Sequence, residues 1–429
     1  MALFLTFTCL YAENPALQPI SKDGKTYNPQ MWNEIDSLKV SNNEDIVTMD
    51  IAMEDSSIIS MKMDDYIIDN GYTVPLVIIN THEPMDQIPD RINYQSAKIE
   101  IKGLSGYEDF EGEVHIRGRG NTSWTISDKK PYRLKFEKKQ QLCGLKKAKN
   151  YVLTANWTDF SLMQNPIASY LAKFFNLPYT HTMVPVDVIL NGTYRGSYLL
   201  TNKPGINAGS VDIDENSSVM WEIDKNYDEE LKFKSPIYDL PVMLADPDMD
   251  SIGFNYWKHD FIKMEEAVRD GRPADVIDID EYARYRCVYD ILLNSDLYLP
   301  KSLKMFKTYR GKYIFGPVWD FDVAMGFNWD EQTAYDFNAV DKNLGKCLLM
   351  HYIETDPEVR TLIRKYMNEF LHHEEEFWDF INNLEDDMYT SGLRNSVRWS
   401  SLDSWEESVA TMKKWMAARM EYLKSVYLE

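Results

Sequence analysis

The chain has 429 residues, long enough to bury sizeable cores in two or three domains or in one large bilobal one. Its 44% hydrophobic and 27% charged residues are ordinary for a soluble globular protein. A formal net charge of −22 argues against a nucleic-acid or anionic-membrane partner over most of the surface, so an anionic substrate has to be met by a local basic pocket.

The start, MALFLTFTCLYAENP, carries an apolar run about as long as a signal-peptide core, with Ala12 as a cleavage point. Residues 1–12 read as a signal-peptide remnant, which places the chain outside the cell or on its surface. If the run is only a frayed apolar segment, the chain is cytoplasmic. No later stretch is long and apolar enough to span a membrane. Cys143, Cys287 and Cys347 lack metal-ligand spacing and read as core thiols.

A polar leader (13–42) is followed by a strand-rich N-terminal lobe over 43–248. DIVTMDIAM, TVPLVIINT, SAKIEIKGL, GEVHIRGRG and KPYRLKFEK have β-branched, alternating patterns broken by short turns. SLMQNPIASYLAKFF is a helical interruption, and TMVPVDVILNGTYRGSYLLT is a hairpin turned at Asn191-Gly192. Residues 249–429 form a helix-rich C-terminal lobe. In IDIDEYARYRCVYDILLNSD, Tyr282, Tyr285, Tyr289 and Leu292 recur at helical spacing behind a capping box of Asp278 and Glu281. DPEVRTLIRKYMNEFLHHEEEFWDFINNLEDDM and SWEESVATMKKWMAARMEYLKSVY are amphipathic helices. The fold class is α+β and bilobal, and residues 43–429 also count as one continuous domain.

Three stretches carry candidate chemistry. In HIRGRGNTSW a strand ends and Arg117, Gly118, Arg119, Gly120 and Asn121 make a turn whose glycines admit close backbone approach to an anion. A tight hairpin with solvated arginines has the same composition. In KKPYRLKF, Tyr132, Leu134 and Phe136 share the core face while Arg133 and Lys135 share the other. So many cations gathered in so acidic a chain suggest a phosphate site; a basic strand edge that blocks aggregation is the alternative.

Asp296, in LLNSDLYLPKSLKMF, sits in a loop after a helix, placed to accept a proton from an attacking hydroxyl. GPVWDFDVAMGF then sets Asp320 and Asp322 one residue apart. If the strand continues through them, both point to one face with Phe321 on the other, and two such charges call for a divalent cation. A pair of turn carboxylates would look alike. Basic turn, strand lysine, loop aspartate and acidic pair follow the order used by phosphoryl-transfer enzymes. Protein kinases place a metal-binding asparagine five residues after the catalytic aspartate. Lys301 stands there in this chain, and Asp322 would supply the second metal contact instead.

IRGRGNTSW, KKPYRLKF, NWTDFSLMQNPIASYLA, VILNGTYRGSYLL and GPVWDFDVAMGF together resemble the spore-coat-protein-H (CotH) kinase family, over about residues 73–400. The resemblance implies a remotely protein-kinase-like fold. It implies a Mg²⁺-dependent enzyme, with Mn²⁺ as an alternative metal, moving the γ-phosphoryl group of ATP to Ser/Thr hydroxyls of surface or coat proteins. It makes Asp296 the catalytic-loop aspartate and Asp320 the metal ligand, with Arg117 to Asn121 and Lys135 on nucleotide phosphates. Asn156, Trp157, Asp159 and Asn165 match a family block with no role derivable from sequence. One departure stands out: where the family commonly has a glutamate after YLL, this chain has Thr201-Asn202-Lys203. Glu222, in VMWEID, is the substitute partner for the phosphate lysine. The chain is expected to be a monomer. A surface-binding protein on a kinase-like scaffold is the competing reading; a metal-dependent hydrolase leaves Arg119 and Lys135 without a function.

Overall fold

The computed structural model describes the backbone of residues 35–43, 46–53 and 58–62, and the whole of 72–327, 335–338, 346–399 and 404–428. Residues 1–34, with the apolar start and most of the polar leader, lie outside the described residues. In chain order the strands are β1 (Ile35–Asn43), β2 (Ile46–Met53), β3 (Ile58–Lys62), β4 (Leu76–Thr81), β5 (Gln95–Lys102), β6 (Phe110–Gly118), β7 (Tyr132–Gln140), β8 (Ala148–Thr154), β9 (Val184–Leu190) and β10 (Thr193–Asn202). They continue with β11 (Ser218–Ile223), β12 (Lys232–Lys234), β13 (Pro241–Asp246), β14 (Leu303–Thr308) and β15 (Ile314–Phe315). The helices are α1 (Thr122–Ile126), α2 (Gln164–Phe174), α3 (Ser251–Arg269), α4 (Pro273–Val276), α5 (Ile279–Leu292), α6 (Leu348–Ile353), α7 (Pro357–Leu371), α8 (Glu374–Trp399) and α9 (Trp405–Tyr427). Strands thus dominate the N-terminal region and helices the C-terminal one, a mixed α+β chain.

Two units interleave along the sequence. The first draws its described residues from Met1–Leu162, Val184–Thr201 and Asn382–Val409, the second from Met163–Met183, Asn202–Ile381 and Ala410–Glu429.

In the first unit β1, β2 and β3 pair in sequence order, and β10-β8-β7-β6-β5-β4-β9 close into a seven-stranded barrel. Closure follows from one local turn and one long-range pairing. Asn191 and Gly192 both have positive φ (49° and 72°), the backbone that a tight hairpin turn requires, and they join β9 to β10. β9 then pairs parallel with β4, Leu76 opposite Asp187, which leaves the sheet without an edge. The interior is filled by alternate residues: Ala97, Ile99 and Ile101 of β5, Val114 and Ile116 of β6, Tyr132, Leu134 and Phe136 of β7, Val186 and Val188 of β9. Strand alternation was readable in the sequence; the barrel was not among its expectations. The C-terminal part of α8 belongs to this unit. Its Asn395 Oδ1 accepts the Ser197 amide at 3.1 Å, and Trp399 Nε1 donates to the Arg195 carbonyl at 2.9 Å. Gly196 allows the approach, because a Cβ there would stand 2.5 Å from Asn395 Oδ1.

In the second unit the sheet order is β12-β13-β11-β14-β15. One face is aromatic. Trp221 meets Phe254 and Phe261 of α3 edge-on, and Phe315 meets Tyr282 and Tyr285 of α5. α5 starts where Asp278 Oδ1 accepts the Glu281 amide at 3.1 Å, and it buries Tyr282, Tyr285, Tyr289 and Leu292 as their spacing implied. Near its end Asp290 is buried against Arg419 of α9, 2.9 Å away; desolvation pushes its carboxyl up, but the charges of Arg286 and Arg419 outweigh it and hold the carboxyl below its ordinary range. Cys143, Cys287 and Cys347 are free and buried, consistent with core thiols. Among the described residues no helix is long and apolar enough to cross a membrane.

Candidate functional site

In the first unit the basic residues expected on one face of β6 and β7 do share it. Arg117 lies opposite Arg133 and His115 opposite Lys135, while Ile116 and Leu134 point into the barrel. The Arg117 guanidinium sits 5.0 Å from the centre of the Tyr94 ring, and Lys135 Nζ sits 5.7 Å from the same ring, so an aromatic platform holds two cations. Arg117 also donates to the Arg91 carbonyl, and Arg133 Nη2 to Asn150 Oδ1 at 3.2 Å.

The adjoining turn is tightly braced. A Cβ on Gly118 would lie 2.3 Å from the Trp124 ring. The Gly118 amide donates to the Asp90 carbonyl at 2.8 Å and the Arg119 amide to the Pro131 carbonyl at 3.1 Å. Arg91 Nη1 donates to the Gly120 carbonyl at 2.6 Å and to Asn121 Oδ1 at 2.5 Å. The Gly118 and Arg119 amides are therefore engaged within the protein, which corrects the picture of a backbone cradle built from them. Lys129, the first cation of KKPYRLKF, is also withdrawn. It is buried, donates to the Ser197 carbonyl, and desolvation takes its pKa down to about 7.

The acidic residues gather in the second unit. α5 ends at Leu293 in a left-handed conformation (φ 50°), and a short 3-10 turn, Ser295–Leu297, follows. Asn294 caps that turn: its Oδ1 accepts the Asp296 amide at 3.0 Å, while its Nδ2 donates to the Asp320 carbonyl at 3.1 Å. One fully buried side chain thus ties together the backbones of both aspartates. Asp296 is only 4% exposed, and its Oδ2 has no hydrogen-bond partner. Its pKa is pushed up to about 8, first by burial and then by the charges of Asp320, Asp322 and Asp224, against the opposing pull of Lys301.

Asp320 and Asp322 are not on a strand. β15 ends at Phe315, and residues 316–327 form an irregular loop in which Asp320 is left-handed (φ 67°). Pro317 has no amide to donate to a ladder, so pairing stops there and the two-residue strand period no longer applies. The loop is instead held from outside. Buried Phe321 lies against Tyr289, ring centres 4.7 Å apart, and the Met325 amide donates to the Leu292 carbonyl at 2.7 Å. Ser302 Oγ donates to Asp320 Oδ2 at 2.7 Å, and the Ser302 amide donates to Asp224 Oδ2 at 2.9 Å.

Glu222 is on β11 directly opposite Lys304 of β14, and their charged ends are 2.6 Å apart with Lys304 only 8% exposed. Its partner is this neighbouring-strand lysine, which the sequence reading passed over. Lys304, Asn294, Ser302 and Asp224 all went unassigned. Only the Asn-Ser-Asp run before the turn carried a usable signal, that of a capping residue. Asn202, at the position of the family glutamate, is buried at the end of β10.

Among the described residues no three or more carboxylates, imidazoles or thiols close around a point that would hold a metal. Mg²⁺ does not ask for such a cage, because one or two carboxylates plus phosphate oxygens and water complete its shell. Three carboxylates, Asp320, Asp322 and Asp224, whose charges bear on the desolvated Asp296 with its orphaned oxygen, fit an incoming cation that carries its own oxygen ligands. The model of the family described as CotH kinase protein matches residues 116–423 of the chain. No curated protein matches it.

Proposed function

Because the chain belongs to the CotH kinase protein family, we propose that it is a remotely protein-kinase-like phosphotransferase, moving the γ-phosphoryl group of ATP to Ser/Thr hydroxyls of protein substrates. The observation that carries this reading is Asp296: a buried carboxylate with one unpartnered oxygen, fixed by Asn294 to the loop that bears Asp320. A base for proton abstraction needs such a free, desolvated acceptor.

In the proposed reaction the acceptor hydroxyl oxygen attacks the γ-phosphorus, the bond to the bridging β–γ oxygen breaks, ADP leaves, and the hydroxyl proton passes to Asp296 Oδ2. A divalent cation held by Asp320 and Asp322 would supply charge neutralisation for the phosphates. By itself Asp296 favours its protonated form near neutral pH, and added positive charge among the carboxylates releases it as a base. Ser302 fixes the Asp320 carboxylate, and Glu222 holds Lys304 extended as a point charge for a phosphate oxygen. Arg117, Arg119, Gly120, Asn121, Arg133 and Lys135 of the first unit are proposed to bind phosphate oxygens. Surface or coat proteins are the proposed substrates and the cell exterior the proposed location.

Calorimetric titration of Mg²⁺–ATP tests the binding half of this reading. Wild type should bind and D320N should lose binding by at least tenfold, the scale of removing a metal ligand. Equal binding by both proteins would reject Asp320 as the metal residue. Absence of binding by wild type would favour a scaffold that binds surfaces without catalysis.

A further inference from the structure

The loop that carries Asp320 and Asp322 has little regular structure of its own, yet its backbone is fixed at two points by side chains from α2. Asn165 Oδ1 accepts the Phe321 amide at 2.9 Å, and Gln164 Oε1 accepts the Ala324 amide at 3.0 Å. Both side chains are buried at the start of α2. The helix is itself pinned: Ser169 Oγ donates to the His181 carbonyl, and Arg284 of α5 donates to the carbonyls of Phe175 and Asn176 just past the helix end. α5 in turn leads directly into the turn that carries Asp296.

We infer that Gln164 and Asn165 are positioning residues, a two-amide clamp through which α2 sets the carboxylate of Asp320 for its cation. A left-handed aspartate is an uncommon conformation that neighbouring contacts must enforce. The Phe321 amide follows Asp320 immediately, so the Asn165 bond fixes the peptide plane on which the Asp320 carboxylate turns. From the other side Asn294 holds the carbonyl of the same peptide. Asn165 lies in the QNPIASYLA stretch, whose chemistry the sequence left open, and the inference gives that residue a task. It rests on the proposed metal–nucleotide reading of the site.

Three substitutions test it: N165A removes the acceptor, Q164A removes the second one, and N165D keeps a side-chain oxygen of the same shape. Two quantities are read, the half-saturating Mn²⁺ concentration in the presence of ATP by electron paramagnetic resonance, and amide hydrogen exchange at Phe321 and Ala324. N165A should raise the half-saturating concentration by about tenfold or more, in line with other outer supports of metal ligands. It should also speed exchange at Phe321, with N165D recovering most of both effects. Q164A should act in the same direction at Ala324, and it stands in if N165A does not fold. A purely structural role would lower the melting temperature and leave the Mn²⁺ dependence and Phe321 exchange as in wild type; that result overturns the inference. If wild type itself binds no Mn²⁺–ATP, the functional reading fails, and unchanged Phe321 exchange in N165A would separately dismiss the clamp.

Discussion

Replacing Asp296 by asparagine should make the metal-free protein more stable, and increasingly so as the pH rises. The sign follows from the proton. Its folded-state pKa, about 8, lies above the ordinary 3.8, so the folded chain holds a proton that the unfolded chain releases. Stability from this group is fully present below pH 3.8 and is lost as the pH climbs through about 8. At ~1.4 kcal/mol per pH unit this sets a ceiling of roughly 6 kcal/mol at high pH, of which relaxation of the pocket leaves on the order of 3 kcal/mol. Asparagine has no charge to bury, so D296N should melt roughly 3–7 °C above wild type at pH 8.5. The gap should be about half as large at pH 5.5, where wild type has lost less. Differential scanning calorimetry of both proteins across that range, with chelator present, is the assay. Saturating Mg²⁺–ATP should then narrow the gap, because the added positive charge compensates the carboxylate of wild type only. A D296N protein less stable than wild type by the same amount at every pH would refute the reasoning, since it would mean that Asp296 is a satisfied structural residue.

Three further outcomes follow from the same geometry. K304M leaves the Glu222 carboxylate without its partner across β11 and β14; nucleotide affinity in calorimetric titration should fall at least tenfold and stability by about 1–3 kcal/mol, and E222Q should reproduce most of the affinity loss. R419M leaves buried Asp290 to Arg286 and Tyr427 alone, and urea unfolding should show about 1–3 kcal/mol lost. R133A and K135A remove cations from the partly or fully exposed outer face of β7, so stability should move by less than about 0.5 kcal/mol while nucleotide affinity falls and becomes less salt-dependent.

Local patterns in the sequence were informative wherever one element decides the answer. Alternation in KPYRLKF assigned the side chains from Tyr132 to Phe136 to their faces, because the strand period is fixed by backbone geometry. Asp278 and the Asn191-Gly192 turn likewise acted through neighbours a few residues away. The barrel depends on β4 meeting β9, over a hundred residues on, and no local pattern records that pairing. The return of residues Asn382–Val409 to the first unit is equally non-local: α8 reads as one long amphipathic helix, and which surface it covers depends on Asn395 and Trp399 finding the β10 backbone. At the acidic site the residue types were legible and their mechanics were not. Asp320 and Asp322 looked like strand residues because the run before them is β-branched and aromatic. Pro317 ended that strand, and buried amides from Asn165, Gln164 and Asn294 took over the work of a ladder. The Glu222–Lys304 pair was hidden for a related reason: it exists only through the register of β11 on β14.

The most direct measurement is transfer of the labelled γ-phosphoryl group from ATP to a generic Ser/Thr-rich acceptor protein, with Mg²⁺ or Mn²⁺, by wild type beside D296A and D320N. Metal-dependent labelling of the acceptor by wild type, lost in both variants while their folds survive, is the predicted result. Labelling that persists undiminished in D296A, or a wild type that binds Mg²⁺–ATP tightly and transfers nothing to any hydroxyl, would contradict it.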